Sequence, residues 1–281
     1  MVAFINGKIV PEEQAVVSVL DRCFLYGDGL FETIRVHNGK PFRWGQHIDR
    51  LVRSAESLKI TVPHSGGELK KAAEQLITQN QATESLIRVQ LSRGVGVRGY
   101  SPKNANEPTI VMTTHPMPEG MGSGLPQWQL ITSSFRVPAN DELAQHKTCS
   151  RLTNVLARAE AEAAGADEAL ILNSADHVVE SAGGNLFWIY RETICTPPHA
   201  LGALPGVTRA VVMEICNQLN LRTKKLAMKR DALLGSEGAF LSLSSWGIVE
   251  IASLDGNEIP GAPVIGQIAQ AYDDLLKREC S

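Results

Sequence analysis

The sequence is divided by one breaker-rich stretch, His115-Pro116-Met117-Pro118-Glu119-Gly120-Met121-Gly122-Ser123-Gly124-Leu125-Pro126. It holds three Pro and three Gly in twelve residues, and the apolar periodicity of the flanking segments stops across it. Such a composition is typical of a link between domains. We therefore predict a small N-terminal domain over residues 1–115, an interdomain linker over 116–126 and a large C-terminal domain over 127–281.

Hairpins, helices and strands are mixed on both sides of this linker. Asn6-Gly7 and Asn38-Gly39 each join two short apolar segments, a pattern that predicts type I′ hairpin turns. Helical spacing occurs at residues 44–59, 67–79, 148–164, 208–219 and 264–278. Strands are predicted near 86–93, 108–114, 128–135, 168–173, 177–180, 185–190, 193–196, 222–228 and 238–244. This order favours two α+β domains over one doubly wound sheet.

The composition excludes several classes of protein. The 281 residues carry 27 basic and 30 acidic side chains, a net charge of −3, and no Lys/Arg cluster that would indicate a nucleic-acid partner. No apolar run has the ~20 residues needed to cross a membrane. The five cysteines are scattered, without a CxxC pair or zinc spacing, which indicates reduced thiols in a cytoplasmic protein and no metal site.

Lys147 is the first candidate catalytic residue. The predicted helix over 148–164 begins directly after it, so the positive end of the helix dipole would disfavour its ammonium form. Burial would lower the pKa further, which suits an amine that attacks a carbonyl or abstracts a proton. The alternative is an ordinary solvated lysine.

Two later motifs are candidates for binding a charged ligand. Glu180 ends a predicted strand just before Gly183-Gly184, so its carboxylate can face a ligand, or it simply opens a turn. In Leu204–Arg209, a glycine precedes Thr208 at a helix start, where free amides and a hydroxyl form an anion site or a plain N-cap. The cluster Ser242–Gly247 offers hydroxyls to such a site or forms a turn.

Arginines in two regions are further candidates. Arg50 lies on the predicted helix after the second hairpin, where a solvated helix face is the alternative. The loop Arg93-Gly94-Val95-Gly96-Val97-Arg98-Gly99-Tyr100 carries two arginines suited to substrate carboxylates, or is an ordinary mobile loop. Upstream, Tyr26-Gly27-Asp28-Gly29 is a tight-turn sequence.

Taken in order along the chain, these motifs resemble those of the class IV pyridoxal-phosphate enzymes. That family includes branched-chain aminotransferases, D-amino acid aminotransferases and aminodeoxychorismate lyases. The resemblance covers nearly the whole chain, from Tyr26–Thr33 to Ser244-Ser245, and includes Asp167–Leu170, Glu180, Asn185–Phe187 and Leu204–Arg209.

The resemblance implies a cofactor, a fold and roles for particular residues. Pyridoxal 5′-phosphate would be held by Lys147 as a Schiff base, and Lys147 would also move a proton at the reacting carbon. Glu180 would pair with the pyridine nitrogen, and the phosphate would be bound by Arg50, Val207, Thr208 and Ser244. The family fold has two α+β domains with the cofactor between them. Its members are usually homodimers, in which a loop of one subunit closes the other's site.

The loop motifs favour one reaction within the family. The Arg-Gly-x-Gly-x-Arg-Gly-Tyr run and the Lys-Thr-x-x-Arg-Leu segment are similar to those of the lyases. The Arg-x-His carboxylate trap of the D-amino acid enzymes is absent, since Val95 and Tyr100 stand at the His position after Arg93 and Arg98. Leu152 stands where branched-chain enzymes commonly have Tyr.

We therefore expect a lyase that converts 4-amino-4-deoxychorismate to 4-aminobenzoate and pyruvate. The alternative is an aminotransferase acting on D-amino acids or branched-chain L-amino acids. A non-catalytic dimer that binds a phosphorylated ligand is disfavoured, because a binder needs neither Lys147 nor Glu180. The predicted substrate contacts are Arg93, Arg98, Tyr26, Phe31, Ser245 and Trp246, with Arg151 as a further candidate for a carboxylate.

Overall fold

The computed structural model describes residues 1–120 and 124–281, which group into two compact units. The first unit contains Met1–Pro118, Lys147–Arg151 and Leu276–Ser281. The second contains Glu119–His146 and Leu152–Leu275. Of the predicted linker, Met121, Gly122 and Ser123 lie outside the described residues. The predicted division of the chain at residues 116–126 places Lys147–Arg151 and Leu276–Ser281 in the C-terminal domain, whereas both segments group with the first unit.

The first unit is built on an antiparallel sheet with helices. Its elements are β1 (Val2–Ile5), β2 (Lys8–Pro11), α1 (Arg22–Tyr26), β3 (Gly29–His37), β4 (Lys40–Pro41), α2 (Trp44–Leu58), α3 (Gly66–Gln79), β5 (Ser85–Ser92) and β6 (Thr109–Pro116). The strand order is β2-β1-β6-β5-β3-β4. Both predicted hairpin turns form, with φ of 48° at Asn6 and Asn38 and of 87° and 73° at Gly7 and Gly39.

Strand β3 has one face in the core and one face left for other contacts. Glu32, Ile34 and Val36 are buried, whereas the alternate residues of the strand are half-buried. The apolar side chains of the buried face of β3 pack with those of α2 and α3 in one core cluster. A capping box between Ser65 and Glu68 starts α3. The remaining face, which includes Phe31, is therefore not used by the core.

The second unit is built on a mixed sheet. Its elements are β7 (Gln127–Val137), α4 (Leu152–Ala163), β8 (Glu168–Asn173), β9 (Val178–Ser181), β10 (Asn185–Tyr190), β11 (Thr193–Thr196), α5 (Val207–Gln218), β12 (Arg222–Lys225), α6 (Arg230–Leu234), β13 (Ala239–Leu243), β14 (Gly247–Leu254) and β15 (Asn257–Glu258). The helix α7 (Pro263–Glu279) begins here, and its last turn is grouped with the first unit.

The mixed sheet closes on itself through one pairing. The strand order is β12-β11-β10-β13-β14-β7-β8-β9, and β9 pairs in addition with β10 at Glu180 and Asn185. Strands β10-β13-β14-β7-β8-β9 thus form a ring whose last contact includes the candidate carboxylate. No helix in the described part of the chain is long and apolar enough to cross a membrane.

Candidate active site

Lys147 lies in a short segment, Lys147–Arg151, which pairs with β3 through a bridge between Thr148 and Leu30 and which we call the lysine segment. The Phe31 amide donates to the Lys147 carbonyl at 2.9 Å, and the Cys149 amide donates to the Gly29 carbonyl at 2.8 Å. The prediction that Lys147 precedes a helix start is wrong, because α4 begins only at Leu152. Backbone pairing with β3 positions the lysine, so the helix-dipole argument for its reactivity does not hold.

Two glycines before β3 leave space for close packing. Gly27 has a left-handed φ of 69°, and a Cβ there would lie 3.2 Å from Ser150, in the lysine segment. At Gly29 a Cβ would lie 2.6 Å from the Leu91 carbonyl oxygen and 3.0 Å from the Cys23 sulfur. Gly27 is thus needed for the approach of the lysine segment, and Gly29 for the close approach of β3 to β5 and α1.

The Lys147 amine shares an aromatic ring with a second cation. Its Nζ lies 4.4 Å from the ring centroid of Phe31, and the guanidinium carbon of Arg88 lies 4.0 Å from the same centroid. Burial lowers the pKa of Arg88. Among the residues that the structure describes, no carboxylate forms an ion pair with Arg88. An arginine held in this way favours an anionic ligand.

Arg88 was not among the predicted site residues, although a signal for it exists. In β5 the buried residues Ile87, Val89 and Leu91 alternate with half-buried ones, so Arg88 is predictable on the open face. Its place beside Phe31 depends on the register of β3 and β5, in which Phe31 faces Gln90. That register is a long-range property that the local pattern does not contain.

Arg50 is buried in a network on the core side of β3. Its Nε and Nη2 donate to the Glu32 carboxylate at 2.7 and 2.6 Å, and His47 Nδ1 lies 2.8 Å from the same carboxylate. Burial alone would raise the pKa of Glu32, but the Arg50 charge and the two hydrogen-bond partners lower it to about 2. Burial lowers the pKa of His47. The predicted role of Arg50 as a phosphate ligand stays a prediction.

The loop after β5 is held by a buried arginine. Arg22 is 3% exposed, and its guanidinium donates to the carbonyls of Gly99, Tyr100 and Ser101 at 3.0–3.1 Å. The Tyr26 hydroxyl accepts from the Gly99 amide at 2.9 Å. Tyr26, a predicted substrate contact, therefore helps to fix this loop, which leaves Arg98 and Tyr100 exposed.

Arg93 has contacts that differ from the predicted one. Its Nε donates to Asp28 at 2.8 Å, and its Nη1 and Nη2 donate to the carbonyls of Lys59 and Leu58 at 2.7 and 3.0 Å. The guanidinium thus binds the end of α2 and one carboxylate. Burial opposes but does not outweigh the effect of Arg93 and Arg22, which lower the pKa of Asp28. The expected role of Arg93 in holding a substrate carboxylate stays a prediction.

In the second unit, Glu180 is fixed by the strand that follows it. Its Oε2 accepts from Asn185 Nδ2 at 3.0 Å and from the Leu204 amide at 2.9 Å. The same Asn185 amide donates to the Leu204 carbonyl at 2.9 Å. At Gly206 a Cβ would lie only 1.9 Å from Asn185 Oδ1. Asn185 therefore connects the carboxylate to the start of α5, and glycine leaves the necessary space.

The start of α5 has the features of an anion-binding site. Gly206 is the N-cap and gives no side-chain cap to the helix, while Val207 and Thr208 are buried in its first turn. Thr208 Oγ1 lies 3.3 Å from Ser244 Oγ, in the turn that joins β13 to β14. We call Gly206–Thr208 with Ser244 the anion cradle. Uncapped first-turn amides with two hydroxyls suit a phosphate.

The other residues of this turn were predicted as substrate contacts. Ser245 and Trp246 complete the turn and are half-buried. The Trp246 ring packs edge-on against Trp128, with 5.3 Å between ring centroids. Arg151, in the lysine segment, donates to the Thr148 carbonyl at 3.1 Å. Substrate contacts of these three residues stay predictions.

Two further titratable side chains of the second unit are buried. Arg209 donates to Thr196 Oγ1 at 3.1 Å and to the Pro197 carbonyl at 2.9 Å, and burial lowers its pKa to about 10. Glu168, from the Asp167–Leu170 motif, is 3% exposed, and burial raises its pKa. Both belong to the motifs of the resemblance, and both have contacts within the protein.

Comparisons with known proteins identify the family. A family model described as amino-transferase class IV matches residues 29–254, so the chain belongs to the class IV aminotransferases. A Methanocaldococcus jannaschii protein named "Putative branched-chain-amino-acid aminotransferase" is 34% identical over 99% of this chain and 96% of its own. D-alanine aminotransferase of Staphylococcus aureus is 30% identical, over 98% and 97%.

A solved structure with a third activity is also similar. The Legionella pneumophila protein named "Putative 4-amino-4-deoxychorismate lyase" is 28% identical, with a TM-score of 0.87 over 94% of this chain and 97% of its own. The fold is therefore the predicted two-domain α+β fold of the family. The relatives named as aminotransferases favour the predicted alternative over the lyase reading.

The family cofactor is pyridoxal 5′-phosphate, and the residues described above fit it. The amine of Lys147 suits its aldehyde, the fixed carboxylate of Glu180 suits its pyridine nitrogen, and the anion cradle suits its phosphate. Among the described residues, no group of three His, Cys, Asp or Glu side chains forms a metal site. The predicted cofactor is confirmed by family membership.

Proposed function

We propose that this protein is an aminotransferase that uses pyridoxal phosphate and acts on α-amino acids. One observation carries the proposal: Lys147 Nζ and the Arg88 guanidinium lie 4.4 and 4.0 Å from the centre of the same Phe31 ring. An α-amino acid has a proton to be moved and a carboxylate to be bound within a few bonds of each other. The Lys147 amine suits the proton. The Arg88 guanidinium, which has no carboxylate partner among the described residues, suits the substrate carboxylate.

The proposed roles follow from the chemistry of each side chain. The bound cofactor supplies an electron sink for the substrate's α-carbon. Lys147 would hold the cofactor and would move the proton at that α-carbon through its Nζ. The Glu180 carboxylate would pair with the pyridine nitrogen and favour its protonated form. The phosphate would be held by Val207 and Thr208, together with the Ser244 hydroxyl.

Arg50 keeps the role that the resemblance implies, as a ligand of the cofactor phosphate. Its Nε and Nη2 donate to Glu32, which fixes the plane of the guanidinium and balances its charge. A guanidinium held in a fixed orientation suits a phosphate ligand. Arg88 takes the role first assigned to Arg93, since its guanidinium has no carboxylate partner within the described residues.

The substrate class is an L-amino acid with a branched side chain or a D-amino acid. The similarity to the M. jannaschii and S. aureus proteins supports these two classes. Because the Arg-x-His trap of the D-amino acid enzymes is absent at Arg93 and Arg98, we favour branched-chain L-amino acids.

Aminodeoxychorismate lyase is the second candidate. It is supported by the loop Arg93–Tyr100, by the segment Lys147–Leu152 and by the L. pneumophila structure. The test is to mix purified holoenzyme separately with L-leucine, D-alanine and 4-amino-4-deoxychorismate. The cofactor spectrum, the keto acid formed with 2-oxoglutarate as acceptor and the release of 4-aminobenzoate are then measured.

Rapid conversion of the cofactor to its amine form by L-leucine, with catalytic formation of the keto acid, is the expected result. Release of 4-aminobenzoate without turnover of either amino acid would instead establish the lyase. Lys147→Ala protein, tested in parallel, must be inactive with all three compounds. Borohydride reduction should attach the cofactor to Lys147 in peptide mapping.

A cytoplasmic homodimer completes the proposal. The first unit exposes large apolar side chains at Val16, Phe24 and Tyr100, which are 76%, 74% and 88% accessible. Five free thiols agree with a reducing compartment. Light scattering should give twice the 30.4 kDa mass of one chain. A monomer at micromolar concentration would contradict the dimer and leave the proposed reaction untouched.

A further inference from the structure

Two cysteines far apart in the sequence form a thiol pair in the first unit. Cys23 lies on α1 and Cys149 in the lysine segment, and their thiols are hydrogen-bonded to each other. Gln90 Nε2 also donates to the Cys23 sulfur at 3.5 Å. Both cysteines are half-buried, whereas Cys195, Cys216 and Cys280 are buried. The pair is therefore the accessible dithiol of this chain.

Gly29 brings the two cysteines to one place. Its carbonyl accepts from the Cys149 amide at 2.8 Å, and a Cβ on Gly29 would lie 3.0 Å from the Cys23 sulfur. Cys23 also lines a cavity of about 210 Å³ with Asp21, Phe24 and Ser92, among others. A small oxidant thus has space to reach the Cys23 side of the pair.

The surroundings also favour a thiolate at Cys23. The hydrogen bond from Cys149, opposed by burial and by Asp21, lowers the pKa of the Cys23 thiol, and the Arg88 charge acts in the same direction. Burial raises the pKa of Cys195, Cys216 and Cys280. Cys149 shares the hydrogen bond, the Arg88 charge and the partial exposure, but the hydrogen bond to Cys23 and burial raise the pKa of the Cys149 thiol. Cys23 is therefore the thiol of this pair that is favoured as the thiolate, and Cys149 is its partner thiol.

We propose that Cys23 and Cys149 are an oxidation site, at which a peroxide forms a reversible disulfide that inhibits the enzyme. The Cys23 thiolate attacks one peroxide oxygen, breaks the O–O bond and becomes a sulfenic acid, while the other oxygen leaves as hydroxide and is protonated. The Cys149 sulfur then attacks the Cys23 sulfur, its thiol proton is lost, and the sulfenic oxygen leaves as water. Two thiols and one hydrogen peroxide thus become one disulfide and two waters.

The inhibition follows from the place of Cys149 and rests on the proposed role of Lys147. Lys147 and Cys149 flank Thr148, which forms a bridge with Leu30, and the backbones of both residues are hydrogen-bonded to Phe31 and Gly29. A movement of Cys149 is therefore passed to Lys147 through two residues of backbone. A disulfide between Cys149 and Cys23 of α1 replaces a hydrogen bond between two thiols with a shorter covalent bond. Because the two sulfurs must come closer together, the lysine segment moves. A displacement of about 1 Å at a catalytic group costs up to about a hundredfold in rate.

The first experiment tests the disulfide without any activity assay. Reduced holoenzyme is treated with stoichiometric hydrogen peroxide, denatured, and its free thiols are counted, with five expected before and three after. Non-reducing tryptic mapping should then show residues 23–35 linked to residues 148–151. Loss of thiols without this linked peptide, or no loss of thiols, would overturn the proposal.

The second experiment tests the inhibition against matched variants. With L-leucine as substrate, peroxide should lower the activity of the wild type and of Cys195→Ser at least about tenfold, and dithiothreitol should restore it. Cys23→Ser and Cys149→Ser, each compared with its own reduced activity, should resist. A linked peptide with unchanged activity would overturn the inhibition. An inactive reduced wild type counts against the proposed function alone, because the peptide map is independent of turnover.

Discussion

The lysine segment and the anion cradle differ in the kind of group that each presents to a ligand. The lysine segment presents the long side chain of Lys147, positioned by backbone pairing with β3. The anion cradle presents backbone amides and short hydroxyls, and it depends on the absence of a side chain at Gly206. The first region is therefore sensitive to the removal of atoms, and the second is sensitive to their addition.

The largest effect is expected from Lys147→Ala. The variant loses the amine to which we assign cofactor attachment and proton movement, so kcat should fall by at least about 10⁴-fold. The amine-dependent absorbance of the bound cofactor should disappear, while the melting temperature changes little. Lys8→Ala, at an exposed position of β2, is the control. Wild-type turnover by the Lys147 variant would show that the lysine segment does not act through the amine of Lys147.

Acid should remove the stability contributed by the Glu32 carboxylate. Its pKa of about 2 in the folded protein lies below the ordinary value, so its ionised form is stabilised by folding. The contribution of this carboxylate to the free energy of unfolding is fully present above the unfolded pKa of about 4.3. It is lost as the pH falls from there through the folded pKa, and the total loss is about 3 kcal/mol.

The measurement is urea unfolding at several pH values between 7 and 2. Glu32→Gln should be less stable at pH 7 and should lose this acid step, because Arg50 is left buried without its carboxylate. Glu56→Gln, at an exposed position of α2, should keep the wild-type profile. An unchanged acid profile in Glu32→Gln would exclude this carboxylate as the cause.

Arg88 and Arg93 give a paired test within the first unit. Arg88→Ala should lower kcat/KM for the amino acid about ten- to a hundredfold, because a charged hydrogen bond to the substrate is lost. Arg93→Ala should leave KM nearly unchanged and lower the melting temperature, because its partners are Asp28 and the end of α2. The reverse result would return the substrate role to Arg93.

The smallest effect is expected at the anion cradle. In Gly206→Ala the new Cβ meets Asn185 Oδ1, so Asn185 must move away from Glu180. We expect a loss of about 1–3 kcal/mol in unfolding free energy and weaker cofactor binding, both measurable by thermal unfolding with and without pyridoxal phosphate. Gly266→Ala in α7, where a Cβ meets nothing within 4 Å, should be neutral or stabilising.

Elements with a strong local pattern were predictable from the sequence. The strands β8, β10 and β11 have the predicted ends, and α3 begins one residue before its predicted start. The hairpins at Asn6 and Asn38 follow from turn chemistry alone. In these elements periodicity and turn residues act over a few positions, so no distant contact is needed to specify them.

The features around Lys147 were not predictable in the same way. Leu152 begins a helix, but Lys147–Arg151 pairs with Gly29 and Phe31, which are distant in the sequence. The contact between Cys23 and Cys149 has the same origin, since no spacing rule applies to it. The local pattern therefore assigned residues 148–151 to the start of a helix, whereas their structure is set by pairing with a strand that is distant in the sequence.

The membership of Lys147–Arg151 in the first unit has a consequence for dividing the protein experimentally. A fragment ending at Pro118 would carry β3 with the Gly29 carbonyl and the Phe31 amide unpaired at its margin. The complementary fragment would carry Lys147 without β3, the strand with which its backbone pairs. Split-protein reporters and domain exchanges cut near residue 118 should therefore regain function only if the two pieces reassociate.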